Sequence, residues 1–96
     1  MEHAVQHEES GSKGSFFITS PAGQQLATMT YSRANASLII IDHTDVHPTL
    51  AGQGIGRVLL TALVEWARAT STKVMPLCPF AKAQFVKDVG LRDVLM

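Results

Sequence analysis

The sequence is short of cysteine, net charge and long hydrophobic runs, and each shortage excludes something. Its one cysteine, Cys78, has no partner for an internal disulfide. A disulfide-stapled scaffold is therefore excluded, and a reducing compartment is expected. Eight basic and eight acidic residues give a formal net charge of zero. Nonspecific nucleic-acid binding needs a basic field, so that class is disfavoured. The longest aliphatic run, Leu38–Ile41, is far short of a membrane span. The opening MEHAVQHEES is polar and lacks the apolar segment of a signal peptide. A soluble, cytoplasmic protein that binds neither nucleic acid nor membrane is expected. Apolar residues make up 46% of the 96, enough for one domain with one modest core.

Periodicity places the elements. Residues 1–14 are rich in Glu, Ser, His and Gly and read as a flexible leader ahead of a domain over 15–96. In that leader His3 and His7 carry no pattern. Ser15–Thr19 reads as a strand, and SPAGQ after it as a turn. Leu26–Ser32 alternates, with Ala27, Met29 and Tyr31 on one side and Thr28 and Thr30 on the other, as a half-buried strand does. RANAS, Arg33–Ser37, reads as a second turn. Ser37–Val46 begins as an aliphatic run and ends polar, like a central strand that opens into a site. From Gly54 to Thr70, Ile55, Leu59, Ala62, Leu63 and Trp66 mark one helical face, and Arg57, Thr61, Glu65 and Arg68 the other. Lys73–Cys78 suits a short strand, in which Pro76 implies an edge or a local separation of strands. Pro79 to about Val89 suits a second helix, with Gly90 placed to stop it. The expected fold is α/β (α+β): antiparallel N-terminal strands, a parallel β-α-β crossover and a C-terminal helix.

Three glycines, Gly52, Gly54 and Gly56, alternate in HPTLAGQGIGR between that strand and that helix. A dinucleotide loop needs glycines at i, i+2 and i+5, but Arg57 or Leu59 stands at the last position. An ATP loop needs a Lys followed by Ser or Thr, where Arg57 and Val58 stand. An anion is still favoured. A helix N-terminus offers unpaired N–H groups and a partial positive charge, and glycines let a phosphate approach them. A tight strand-to-helix turn with close packing is the alternative.

The segment Gly52–Gly56 resembles the pyrophosphate loop of the GNAT acetyltransferase superfamily. That pattern is Gln or Arg, two residues, Gly, one residue, then Gly or Ala. DHTDV (Asp42–Val46), EWAR (Glu65–Arg68) and PLCPFAKAQF (Pro76–Phe85) are similar to a branch of very small, single-domain GNAT-like proteins. The resemblance covers about the last two-thirds of the chain. It implies a GNAT-like mixed sheet and acetyl-CoA as cosubstrate, with no metal. It implies that pantetheine lies along Asp45 and Val46, that pyrophosphate takes N–H bonds from Gln53, Gly54, Ile55, Gly56 and Arg57, and that the thioester enters a gap beside Lys73–Cys78. The leading Gln or Arg of the pattern falls on Ala51 here, so one side-chain phosphate contact is missing, for which Gln53 or Arg57 is the candidate replacement.

Acetyl transfer to an amine needs a base for the ammonium and an acid for the departing thiolate. Cys78 precedes Pro79, a residue favoured at the first helical position, so the thiol is expected at a helix N-cap, a setting that lowers a thiol pKa. It would accept the acetyl group or shuttle a proton. His43, near the polar end of the central strand, is the candidate base and is expected to face the same gap. The expected function is acetyl-CoA-dependent N-acetyl transfer to an amine, small molecule or protein, by a monomer or weak homodimer. A non-catalytic CoA-binding module is the alternative.

Overall fold

The computed structural model describes residues 4–96; His3 and the first leader residues lie outside the described residues. Five strands form one sheet in the order of the chain: β1 (Gln6–Ser10), β2 (Lys13–Thr19), β3 (Gln25–Asn35), β4 (Leu38–Val46) and β5 (Lys73–Pro76). The first four pair antiparallel, and β5 joins β4 in parallel. Helix α1 (Ile55–Ala69) makes the crossover between β4 and β5. Helix α2 (Pro79–Lys87) follows β5, and a 3-10 turn, Val89–Val94, closes the chain.

Alternation decides which face of the sheet is covered. Phe16, Ile18, Ala27, Met29, Tyr31, Ile39, Ile41 and Val74 point one way and are buried. They meet Ile55, Leu59, Leu60, Leu63, Val64 and Ala67 of α1 in a single core. The buried stripe of α1 is wider than one row, because the helix packs on the sheet and also touches α2 and the closing 3-10 turn. The other face, which carries Phe17, Thr28, Thr30, Ile40 and Asp42, has no helix over it and stays half-buried or exposed.

Three sequence expectations are corrected. The stretch read as a flexible leader contributes β1, which pairs with β2 along its whole length. Its polarity misled, because β1 is bound by a polar and aromatic cluster and not by an aliphatic face. His7 stacks on Phe16 with ring centroids 4.1 Å apart and meets the edge of Trp66 at 4.9 Å. Its Nε2 lies 2.6 Å from the Tyr31 hydroxyl, which donates to Glu9 at 2.8 Å. Glu9 accepts two hydrogen bonds from Arg33, whose guanidinium lies over the Trp66 ring. The turn read over Arg33–Ser37 shrinks to Ala36 and Ser37, since Arg33–Asn35 extend β3. Helix α2 ends at Lys87, three residues before Gly90: Asp88 is its C-cap and accepts from the Gly90 N–H at 2.9 Å.

The cluster makes stability depend on pH. The Arg33 hydrogen bond, helped by Tyr31 and opposed by burial, holds the Glu9 carboxyl at about 2. Burial, partly opposed by Glu9, pushes His7 below its ordinary 6.5. For both groups the unfolded chain binds protons more readily, so acidification favours unfolding. The His7 share is lost as pH falls through 6.5 and below. The Glu9 share is present above about 4.5 and is lost on the way down to about 2. Urea unfolding midpoints should therefore fall in two stages on acidification, and Glu9→Gln should shrink the lower stage, to which Asp88 and Asp93, held below the ordinary carboxylate range by Arg57 and Arg68, also contribute. A midpoint flat from neutral pH to pH 4 would contradict this account of the cluster.

Candidate functional site

The site begins where β4 and β5 part. Their parallel register runs Leu38↔Lys73, Ile39↔Val74, Ile40↔Met75 and Ile41↔Pro76, and stops there. Proline has no N–H to continue a ladder. The next two amides, of Leu77 and Cys78, both donate to the Ile41 carbonyl, each at 3.1 Å. With both amides on one acceptor, the chain turns away into α2. Beyond this point Asp42–Val46 run without a β5 partner, and a gap opens between the strands.

A β-bulge sorts the residues along that gap. Tyr31 pairs with Ile41, but Thr30 pairs with His43, so Asp42 is an extra residue in β4. An inserted residue exchanges the faces that follow it. Thr44 and Val46 now pair with Met29 and Ala27, both buried, and lie on the helix side. His43 and Asp45 pair with Thr30 and Thr28 on the open face, and both are exposed. Asp42 accepts from Ser32 Oγ at 2.6 Å and stands near Lys13.

Cys78 lies at the inner end of the gap. It is the N-cap of α2, with Pro79 at the first helical position, and is buried to 5% exposure. Its Sγ lies 3.3 Å from Thr44 Oγ1. Burial alone would raise the thiol pKa, but the Thr44 hydroxyl and the N–H groups of Ala81, Phe80 and Thr44 outweigh it and bring the thiol below its ordinary value. Neither helix N–H completes a capping bond to the sulfur; their effect comes from partial charge aimed at it.

The glycine loop stands at the outer end. A 3-10 turn, Pro48–Leu50, is capped by His47, whose Nδ1 accepts from the Thr49 N–H, and buries Leu50. Gly52 and Gly54 have φ of +79° and +71°, the left-handed region where side chains are strained. Gly54 is the N-cap of α1 and supplies no side-chain cap, and the first turn has no acidic residue. The first helical bond runs from Val58 N–H to Gly54 C=O at 3.2 Å. The amides of Ile55, Gly56 and Arg57 precede it and have no intrahelical acceptor. Gly56 has a different reason to be glycine: a Cβ there would lie 2.6 Å from the Phe80 ring. That contact sets the first turns of α1 and α2 side by side.

The residues expected from sequence are thus divided. Gly54, Ile55 and Gly56 present the helix N-terminus. The two candidates to replace the side-chain contact missing at Ala51 are engaged elsewhere. Arg57 pairs with Asp88 and hydrogen-bonds Gln84 and Thr61, and the Gln53 amide donates to Thr49 C=O at 3.3 Å. The backbone amide is what Arg57 brings to the loop. Val46 faces the helix side while the Asp45 side chain faces away. The expected Cys–His pairing is not formed: the polar side chain at Cys78 is Thr44, because the bulge turns His43 to the opposite face. Thr44 was legible only as part of HTDV, since no Gly or Pro marks the bulge.

The sequence profile of the GCN5-related N-acetyltransferases matches residues 15–94. A GCN5-like protein of Staphylococcus aureus, solved by NMR, is 36% identical with a TM-score of 0.73, over 95% of this chain and 87% of that one. The ribosomal-protein-alanine N-acetyltransferase of Brucella melitensis is 16% identical with a TM-score of 0.65, over 81% of this chain and 62% of that one. A GNAT family N-acetyltransferase of Escherichia coli, solved in complex with CoA, is 18% identical with a TM-score of 0.63, over 75% of this chain and 44% of that one. The latter two likenesses are of fold. No functionally curated protein matches.

The packing of the two first turns can be tested without a ligand. Gly56→Ala should force the Phe80 ring aside and destabilise by about 1–3 kcal/mol. In a Phe80→Ala background the same change should cost little. Urea unfolding of the wild type and the three variants reads the coupling, and additive effects would remove the contact from the account.

Proposed function

The chain belongs to the GCN5-related N-acetyltransferase family, and from that premise we propose that it moves an acetyl group from acetyl-CoA to an amine acceptor. The observation that carries this reading is the gap beyond Ile41, with the uncapped N-terminus of α1 at its outer end and Cys78 at its inner end. Those donors suit the cosubstrate. A pyrophosphate needs N–H groups and positive potential, which the amides of Gly54–Arg57 offer. Each exposed charge–dipole contact is worth about 0.3–1 kcal/mol, so several must act together. A pantetheine arm needs an unpaired strand edge, which Thr44–Val46 supply.

Acetyl-CoA brings the acetyl thioester; the chain's part is to hold it and to manage protons. In the route through Cys78, the thiol gives its proton to water and the sulfur bonds the acetyl carbon as the carbon–sulfur bond to CoA breaks. The CoA thiolate takes up a proton as it leaves. The acceptor nitrogen, deprotonated, then bonds the acetyl carbon and Cys78 departs as thiolate; the nitrogen loses its extra proton. Helices cover one face of the sheet, so the acceptor approaches from the other, where His43 and Asp45 stand. There the His43 imidazole, without a side-chain partner among the described residues, takes the proton from the acceptor ammonium.

Acetyl-CoA should raise the melting temperature of the protein. Gly54→Val forces a β-branched residue into a left-handed conformation, a strain of about 1–2 kcal/mol, and blocks the amides. It should lower the melting temperature and also abolish the shift on adding acetyl-CoA. A shift that survives intact would remove the loop from the binding site. Intact-mass spectrometry after incubation with acetyl-CoA should find one acetyl group, mapped to Cys78 and absent in Cys78→Ala. Bound CoA with no acetyl transfer to Cys78 or to any amine would make the protein a CoA-binding module instead.

A further inference from the structure

With His43 turned to the open face, the Cys78 sulfur keeps one polar side-chain partner among the described residues, the Thr44 hydroxyl at 3.3 Å. We propose that Thr44 is the positioning residue for Cys78, holding the sulfur at the inner end of the gap in both its protonated and its ionised form; this rests on the reading of Cys78 as the group that accepts the acetyl. A thiol has a proton to donate, whereas a thiolate only accepts. The partner must therefore change from acceptor to donor as the proton leaves. A hydroxyl does this by rotating one hydrogen, with no movement of heavy atoms. A carboxylate or an ammonium would serve only one of the two forms.

The backbone makes the contact a fixed one. Thr44 pairs with Met29 across β4 and β3, and its side chain is half-buried on the helix side, where little water competes for the hydroxyl. Its β-branch restricts rotation about χ1. On the other side of the sulfur stand the N–H groups of Phe80 and Ala81, and the Thr44 N–H also favours the ionised form. Strand and helix thus share the charge that appears on Sγ. The bulge is essential to this, for in an unbroken register Asp42 would pair with Thr30, and His43 would face Met29 on the helix side in place of Thr44. Thr44 touches the thiol and acts on the reaction through it.

The test is the ultraviolet titration of thiolate in the full chain, whose only cysteine is Cys78, with Cys78→Ser as the blank. Thr44→Val keeps the shape and removes the hydroxyl; Thr44→Ser keeps the hydroxyl. Thr44→Val should raise the titration midpoint and move the thiolate-to-thiol ratio at a given pH about tenfold toward thiol, the size expected for losing one hydrogen bond to a charged group. The rate at which acetyl-CoA acetylates Cys78 should fall by a similar factor, and Thr44→Ser should restore both. A midpoint unchanged in folded Thr44→Val, or a Thr44→Ser variant that behaves like it, overturns the proposal; Thr44→Ala decides the matter if Val does not fold. If the wild type forms no acetyl adduct at all, the acetyl-accepting reading fails, and the titration by itself still decides whether Thr44 holds the sulfur.

Discussion

One carbonyl group organises the site. The Ile41 oxygen accepts the amides of both Leu77 and Cys78, and the parallel ladder between β4 and β5 ends on it. In a continuous strand two successive amides point to opposite edges, so only one of them would face β4. Here both reach the same acceptor, the chain turns, and Pro79 starts α2 at once. Three consequences follow from that turn. β4 keeps a free edge, Cys78 becomes a helix N-cap, and α2 lies beside α1 instead of continuing the sheet.

The second consequence gains from the third. Because Gly56 has no side chain, Phe80 can lie against the first turn of α1, and the two helices begin next to one another. Neither start has a side-chain cap, and neither has an acidic residue in its first turn. Two positive helix ends therefore act on the same region, one over the glycine loop and one at the thiol. Asp88, the carboxylate that Arg57 meets, is at the other end of α2. The pair ties the helices together without neutralising either N-terminus, and the side chain of Arg57 is drawn away from the loop.

The chain separates what holds it together from what it offers to ligands. At the C-terminal part of α1, Trp66 takes its place among His7, Phe16 and Tyr31, and Glu9 and Arg33 complete that cluster. Strand β1 is thereby joined to the sheet and to α1 at one end, while Gly56 and Phe80 fix the other end. A helix held at both ends can present bare amides at its start without relying on a cap, which ordinarily contributes about 0.5–2 kcal/mol.

How far the sequence reaches can be seen in the particular elements. The aliphatic run of β4, the alternation of β3 and the stripe of α1 were legible because their periods, two and 3.6, are local properties of the backbone. The glycine loop was legible for the same reason: a left-handed φ at Gly54 is a local demand that glycine meets most cheaply. Pro76 announced an interruption and Pro79 a helix start. The sequence by itself therefore determined the strands from β2 onward, the presence of both helices, the turn that exposes amides, and the placing of Cys78 at a helix N-terminus. Tertiary structure decided the rest. Strand β1 has no aliphatic face, and its polar residues become structural only when Arg33, Tyr31 and Trp66 arrive from distant positions. The third glycine is required by Phe80, which lies 24 positions along the chain. Above all, the choice between His43 and Thr44 depended on one extra residue in the pairing of β4 with β3. Register is a property of two strands together, and a bulge reverses every side chain beyond it. No reading of β4 alone distinguishes the partner of the thiol from the residue beside it.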